Sequence, residues 1–210
     1  MERAENGLPK ILACTGGIGS GKTFVAGIFE RMGIPVYYSD TMAKKLYFKD
    51  RVLVDSLVRL LGDDVVDGTL GNGIPRLDFK RFASRIFGND NLKKGVEEIV
   101  HPAVLRDFEE WRLSYSNKSG YVIIESAIIL ELPVFSKLDK KVLAVVAPEE
   151  LRIKRVMSRD AASKEMVTAR IKSQWSDSRR EAMADFVIFA DEKRPLVEQV
   201  LSVDEVMKRL

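Results

Sequence analysis

The run Gly16-Gly-Ile-Gly-Ser-Gly-Lys-Thr23, set between the apolar Ile11-Leu-Ala-Cys14 and the stretch Thr23 to Met32, constrains this chain more than any other feature. It fits G-x-x-x-x-G-K-[ST] in the strand–loop–helix setting which that pattern requires. Glycines admit positive φ and close backbone approach, so the N–H groups of Gly17, Ile18, Gly19, Ser20 and Gly21 can curl around a phosphate. The helix that follows directs its positive end to the same place. Lys22 can then reach the β- and γ-phosphates, and the Thr23 hydroxyl can ligate Mg²⁺. The ligand class is a nucleoside triphosphate with its metal.

The rest of the chain supplies a matching frame. Ile11 to Cys14, Ile34 to Tyr38, Tyr121 to Ile124, Lys141 to Val146 and Phe186 to Phe189 are short runs rich in Val and Ile, the pattern of strands covered on both faces. Helical stretches between them predict right-handed crossovers and an α/β fold with a five-stranded parallel sheet. The interval between the second and third strands is far longer than one crossover helix needs. Its helical patterns, Val52 to Leu61, Phe79 to Phe87 and Asn91 to Tyr115, flank a Gly/Asp-rich loop from Gly62 to Gly73. Residues 41–120 therefore read as a mostly helical substrate sub-domain within one domain of 1–210, and residues 149–180 as a two-helix segment after the fourth strand.

Composition narrows the setting. At 46% hydrophobic and 31% charged the chain is that of a globular protein. One cysteine, Cys14, excludes an internal disulfide framework. A net charge of +3 is too weak to mark nucleic acid or an anionic membrane as the partner. The start shows no leader pattern, and the longest apolar run, Tyr121 to Phe135, is broken by Glu125 and Glu131, so a cytoplasmic protein is expected. Between Glu149 and Arg180, however, nine Lys/Arg stand against five Asp/Glu, which places the positive excess in one short segment.

Several side chains are candidates for chemistry. Asp40 follows the second strand at the edge where open α/β sheets bind ligands; position alone leaves it open as a base for an acceptor hydroxyl or as a helix N-cap. Glu125, ending the third strand, suits a second-shell role toward Mg²⁺ and equally a strand-end acid. Arg152, Arg155 and Arg159 share a helical face and suit a lid over the transferred group; each alone also reads as part of a solvated face paired with Glu149, Glu150 and Asp160. His101, the one histidine, precedes Pro102 and is either packed or a substrate contact. The nearest string to a guanine-reading N-K-x-D, Asn117-Lys-Ser-Gly120, lacks the acid.

In this order, Thr15 to Thr23, Gly33-Ile-Pro-Val, Asp40, Leu61-Gly62, Arg76, Phe87-Gly88, Ile99-Val-His101-Pro102, Ile128-Ile-Leu-Glu131, Arg155-Val-Met-Ser-Arg159-Asp160, Arg170-Ile-x-x-Gln174 and Ala184-Asp185-Phe-Val-Ile188 resemble the dephospho-coenzyme A kinase family along nearly the whole chain. That resemblance implies a P-loop NTPase-type three-layer fold with a helical substrate sub-domain and a two-helix lid. It implies ATP and Mg²⁺, with phosphorylation of the ribose 3′-hydroxyl of dephospho-coenzyme A. Asp40, Lys22 and Arg155 become catalytic; Gly17 to Thr23, Arg152 and Arg159 hold the nucleotide; Asp40, Lys44, Arg76 and His101 meet the acceptor. The partners are small molecules, and the protein is a monomer or a small homo-oligomer. The chain departs from the family at Tyr38, where the first acid of an Asp-x-Asp often stands, at Ala127-Ile-Ile for Pro-Leu-Leu, and at Phe189-Ala190, where an Asn is common. The competing readings are a P-loop kinase for a nucleoside or nucleotide and a non-catalytic ATP-binding protein.

Overall fold

The computed structural model describes residues 7–210; most of the N-terminal stretch read as lacking a leader lies outside the described residues. In chain order the elements are β1 (Lys10–Thr15), α1 (Lys22–Arg31), β2 (Val36–Tyr38), α2 (Ser39–Lys49), α3 (Arg51–Leu61), β3 (Val66–Thr69), β4 (Pro75–Leu77), α4 (Phe79–Ile86), α5 (Asp90–Leu113), β5 (Tyr121–Glu125), β6 (Lys141–Val146), α6 (Glu149–Asp160), α7 (Lys164–Lys172), α8 (Asp177–Ala182), β7 (Phe186–Phe189) and α9 (Leu196–Arg209). They fall into two compact units, one formed by the described residues up to Tyr38 with Trp111–Leu210, the other by Ser39–Glu110. Among the described residues no helix is long and apolar enough to cross a membrane.

The first unit is built on a five-stranded parallel sheet in the order β2-β5-β1-β6-β7. Each expected strand is present within a residue or two. Their Val/Ile content follows from cover on both faces: Leu12, Cys14, Ile123, Leu143 and Val145 on one face join Val25 and Phe29 of α1 and Val200 and Met207 of α9 in one buried cluster, and Ile11, Ala13, Val122, Ile124, Val142 and Ala144 on the other are buried too. On β2, Tyr37 meets Trp111, with ring centroids 5.4 Å apart. A buried hydrogen bond ties α9 to the sheet, the Tyr121 hydroxyl donating to Asp204 at 2.7 Å. The segment after β6 holds the two expected helices, α6 and α7, and adds a short third, α8, capped by the Ser176 hydroxyl. Ile153 and Val156 of α6 pack on Val167 and Ile171 of α7, with Ile18 of the glycine-rich loop against them.

The second unit is helical apart from one hairpin. Asp50 caps α3 by accepting from the Leu53 N–H, and Asp78 caps α4 by accepting from Lys80 and Arg81. Between these helices the expected loop is partly ordered into the antiparallel pair β3–β4, whose turn closes with Leu70 N–H donating to Ile74. Helix α5 continues past His101 and Pro102, with the proline inside it.

Candidate active site

Strand β1 sits at the centre of the sheet and delivers the glycine-rich loop from its carboxyl end. The Ser20 N–H donates to the Gly17 carbonyl at 3.0 Å, closing the first turn. Gly19 and Gly21 hold φ of 78° and 95°, left-handed values that a side chain resists, and Gly21 leads directly into α1. At Gly16 the requirement is space, because a Cβ would come within 2.5 Å of the Val145 carbonyl on β6.

The first turn of α1 then brings two side chains to one acid. Lys22 Nζ lies 3.3 Å from Glu125 Oε1, and the Thr23 hydroxyl donates to the same oxygen at 3.3 Å. Glu125 ends β5, 4% exposed, in register with Tyr38 on one side and Cys14 on the other. A carboxylate this deeply buried needs charged and hydrogen-bonding partners, and Lys22 and Thr23 are among them. Burial, with the Glu125 charge behind it, pushes the Cys14 thiol far above its ordinary value, leaving it a protonated core residue. Burial and the hydrogen bond to Glu30 push the Tyr38 phenol up to about 12. Hard oxygen donors at Thr23 and Glu125 suit a divalent cation of the Mg²⁺ type. Among the described residues no cluster of three His, Cys, Asp or Glu forms.

The three arginines of α6 take three different positions. Arg155 donates from Nη2 to the Ala190 carbonyl at 2.9 Å and pairs with Glu192 at 3.2 Å, while its Nη1 is 3.5 Å from the Gly19 carbonyl. Arg159 is exposed and paired with Asp160. Both line a cavity of about 200 Å³ with Gly19, Gly21, Lys22, Thr23 and Phe24. Arg155 also lines a neighbouring cavity of about 370 Å³ with Ala190, Glu192, Lys193 and Arg194. Arg152 lines neither; its guanidinium is buried against the loop backbone, donating to the Ile18 carbonyl and to Asp177. Gln174, Asp177 and Arg180 are further site residues whose part was not read from the sequence. Gln174 accepts from the Ile18 N–H at 2.8 Å, and buried Arg180 joins Asp177 to Glu131. The spacing Arg170-Ile-x-x-Gln174 was a signal for the first; nothing local marks the other two.

Asp40, Lys44, Arg76 and His101 belong to the second unit. Asp40 is exposed within the first turn of α2, after Ser39 has already begun the helix, so it is not the N-cap; it makes no hydrogen bond or ion pair among the described residues. One helical turn on stands Lys44. With Ala43, Tyr47, Phe48 and Phe79 the two line a cavity of about 590 Å³. The Tyr47, Phe48 and Phe79 rings pack at tilted angles 5.6–5.9 Å apart. Arg76 is exposed on the hairpin, bound to Asp67 at 2.7 Å, and neither it nor His101 lines that cavity. His101 is half-buried, and burial lowers its imidazole below the ordinary 6.5 against the opposing pull of Glu97.

A nucleotide loop leaving the middle of a parallel sheet, with cationic side chains arriving from the helices after its fourth strand, places this molecule among the P-loop kinases. Comparison with known proteins narrows the class. The family model for dephospho-CoA kinase matches residues 10–195. A dephospho-CoA kinase of Bacteroides fragilis is 37% identical over 192 residues, covering 91% of this chain and 90% of its own. That of Porphyromonas gingivalis is 38% identical over 198 residues, 94% of each. A crystal structure of a Thermus thermophilus protein superposes with a TM-score of 0.77 at 30% identity, over 95% of this chain and 97% of that one. The chain belongs to the dephospho-CoA kinase family, a family of phosphotransferases.

Proposed function

We propose that the chain transfers the γ-phosphoryl group of Mg²⁺-ATP to the ribose 3′-hydroxyl of dephospho-coenzyme A, giving coenzyme A and ADP. The observation that carries this reading is the seat shared by Lys22 and Thr23 on Glu125, at the mouth of a phosphate loop in a member of this family. In the reaction Lys22 and those loop N–H groups not already engaged, as Ile18 is with Gln174 and Ser20 with Gly17, hold the β- and γ-phosphates, and Thr23, with Glu125 behind it, would hold Mg²⁺. The ion, when bound, neutralises charge that builds on the phosphate oxygens. Asp40 accepts the proton of the 3′-hydroxyl as that oxygen bonds to the γ-phosphorus and the bond to the β–γ bridging oxygen breaks. Arg155 and Arg159, on the wall of the phosphate cavity, face the equatorial oxygens.

The acceptor belongs in the cavity of the second unit. Its aromatic wall of Tyr47, Phe48 and Phe79 suits flat and apolar groups, Lys44 suits a phosphate, and Asp40 suits the reacting hydroxyl. Arg76 and His101, which the family resemblance also assigns to the acceptor, stand outside this cavity. The protein works in the cytoplasm on small molecules, as a monomer or a small homo-oligomer. The test is ADP release from Mg²⁺-ATP with dephospho-coenzyme A, adenosine and nucleoside monophosphates offered separately, each product checked by mass. Turnover with dephospho-coenzyme A is expected. Turnover with a nucleoside and none with dephospho-coenzyme A would replace this reading by that of a nucleoside kinase.

A further inference from the structure

We infer that Arg152 is a positioning residue of the phosphate loop, and that residue 17 is glycine because Arg152 lies against it. The evidence lies in two peptide planes. The Ile18 N–H donates to Gln174 Oε1 at 2.8 Å, and the Ile18 carbonyl accepts from Arg152 Nε at 3.0 Å. Both backbone groups of one loop residue are thus held by side chains from the segment after β6. In a planar trans peptide the carbonyl and the following N–H point in opposite directions. Holding the Ile18 carbonyl toward Arg152 therefore aims the Gly19 N–H the other way, and holding the Ile18 N–H toward Gln174 aims the Gly17 carbonyl toward Ser20, whose N–H it accepts.

The guanidinium is itself fixed. Arg152 as a whole is 4% exposed, its Nη1 is 2.8 Å from Asp177 Oδ2, and Asp177 is held in turn by buried Arg180. Its Nη2 is buried with no hydrogen-bond partner among the described residues, and it lies nearest to where a Cβ at position 17 would stand. A Cβ at position 17 would stand 2.2 Å from Nη2 and 2.8 Å from Cζ, and the three heavy atoms nearest to it all belong to that guanidinium. Gly17 is not in the left-handed region, so the backbone would accept alanine. The nearest obstacle to it is Arg152. The inference rests on the reading of this loop as an ATP site, and not on the identity of the acceptor.

The test couples the two positions and reads ATP affinity directly, by titration of ATP into the full chain, beside KM for ATP, kcat and Tm. Arg152→Met is expected to weaken ATP binding and raise its KM about tenfold or more, with a smaller change in the acceptor's KM. Gly17→Ala is expected to do the same in the native background. In an Arg152→Ala background, Gly17→Ala should add less than about twofold. Should Arg152→Met fail to fold, Arg152→Lys serves in its place: it keeps the charge but cannot serve Ile18 and Asp177 together, and it should weaken ATP binding by a similar factor. A lowered Tm with ATP affinity unchanged would make Arg152 a packing residue and overturn the inference. So would a Gly17→Ala penalty equally large with and without Arg152. Failure of the acceptor reading leaves the ATP titration intact, so the two failures are separable.

Discussion

Replacing Asp40 by Asn keeps size and shape but removes the capacity to accept a proton. Since Asp40 caps nothing and pairs with nothing among the described residues, the fold should be indifferent. Asp40→Asn is expected to bind ATP normally and to lose on the order of 100- to 10,000-fold in kcat, the usual contribution of general acid–base catalysis. Steady-state kinetics beside ATP titration checks this, and unchanged kcat would remove Asp40 from the mechanism. His101 gives a prediction on stability. Its folded value lies below 6.5, so the fold prefers the neutral ring and the unfolded chain takes the proton first. The contribution is fully present above about 6.5 and is lost as pH falls from there through the folded value. Urea unfolding at several pH values should show a decline over that range that His101→Gln makes shallower. Among single residues, Lys22, Thr23 and Glu125 were legible because motif and strand end fix their positions along the chain. Arg152 was legible only as one of three arginines on a helical face. Its place against the Ile18 carbonyl depends on Asp177, the first residue of α8, which holds Nη1 and which local sequence does not bring beside it.

At the scale of elements, the caps of the second unit can be measured one group at a time. Asp50 accepts from the Leu53 N–H at 2.9 Å and also pairs with Arg106 at 2.8 Å. Arg106 is half exposed, so the pair adds little and the cap dominates. Asp50→Ala should cost about 1–2 kcal/mol of stability, and Asp50→Asn, which keeps a capping oxygen, only a few tenths, by denaturant unfolding. Equal losses in the two variants would assign the effect to the ion pair instead. The sheet strands announced themselves through continuous Val and Ile. The hairpin did not, because Val66-Asp-Gly-Thr69 and Pro75-Arg-Leu77 carry turn composition. What orders it is the burial of Val65 and Leu77, a tertiary effect absent from local pattern. Helix α8 is only six residues long, too short for a periodicity to register.

For the whole molecule, the near-balance of charge hides an uneven distribution, with nine Lys/Arg against five Asp/Glu from Glu149 to Arg180. Much of that excess lies on the helices beside the phosphate loop, so ATP capture should weaken as salt screens it. KM for ATP is expected to rise about two- to fivefold between roughly 0.05 and 0.3 M salt with kcat nearly constant, and a salt-independent KM would contradict the assignment. The strand order has a different consequence, which concerns time. The strand at the centre of the sheet is synthesised before every other strand among the described residues, yet Lys10 finds its partner only at Tyr121 and Leu12 its other neighbour only at Lys141. At about 5–20 residues per second, Ile11-Leu-Ala-Cys14 waits on the order of 10 s on the ribosome with both edges bare. The nascent chain cannot assemble its nucleotide loop until α6 and the residues through Asp177 have emerged, so a truncated product would carry an intact glycine motif and no working phosphate site.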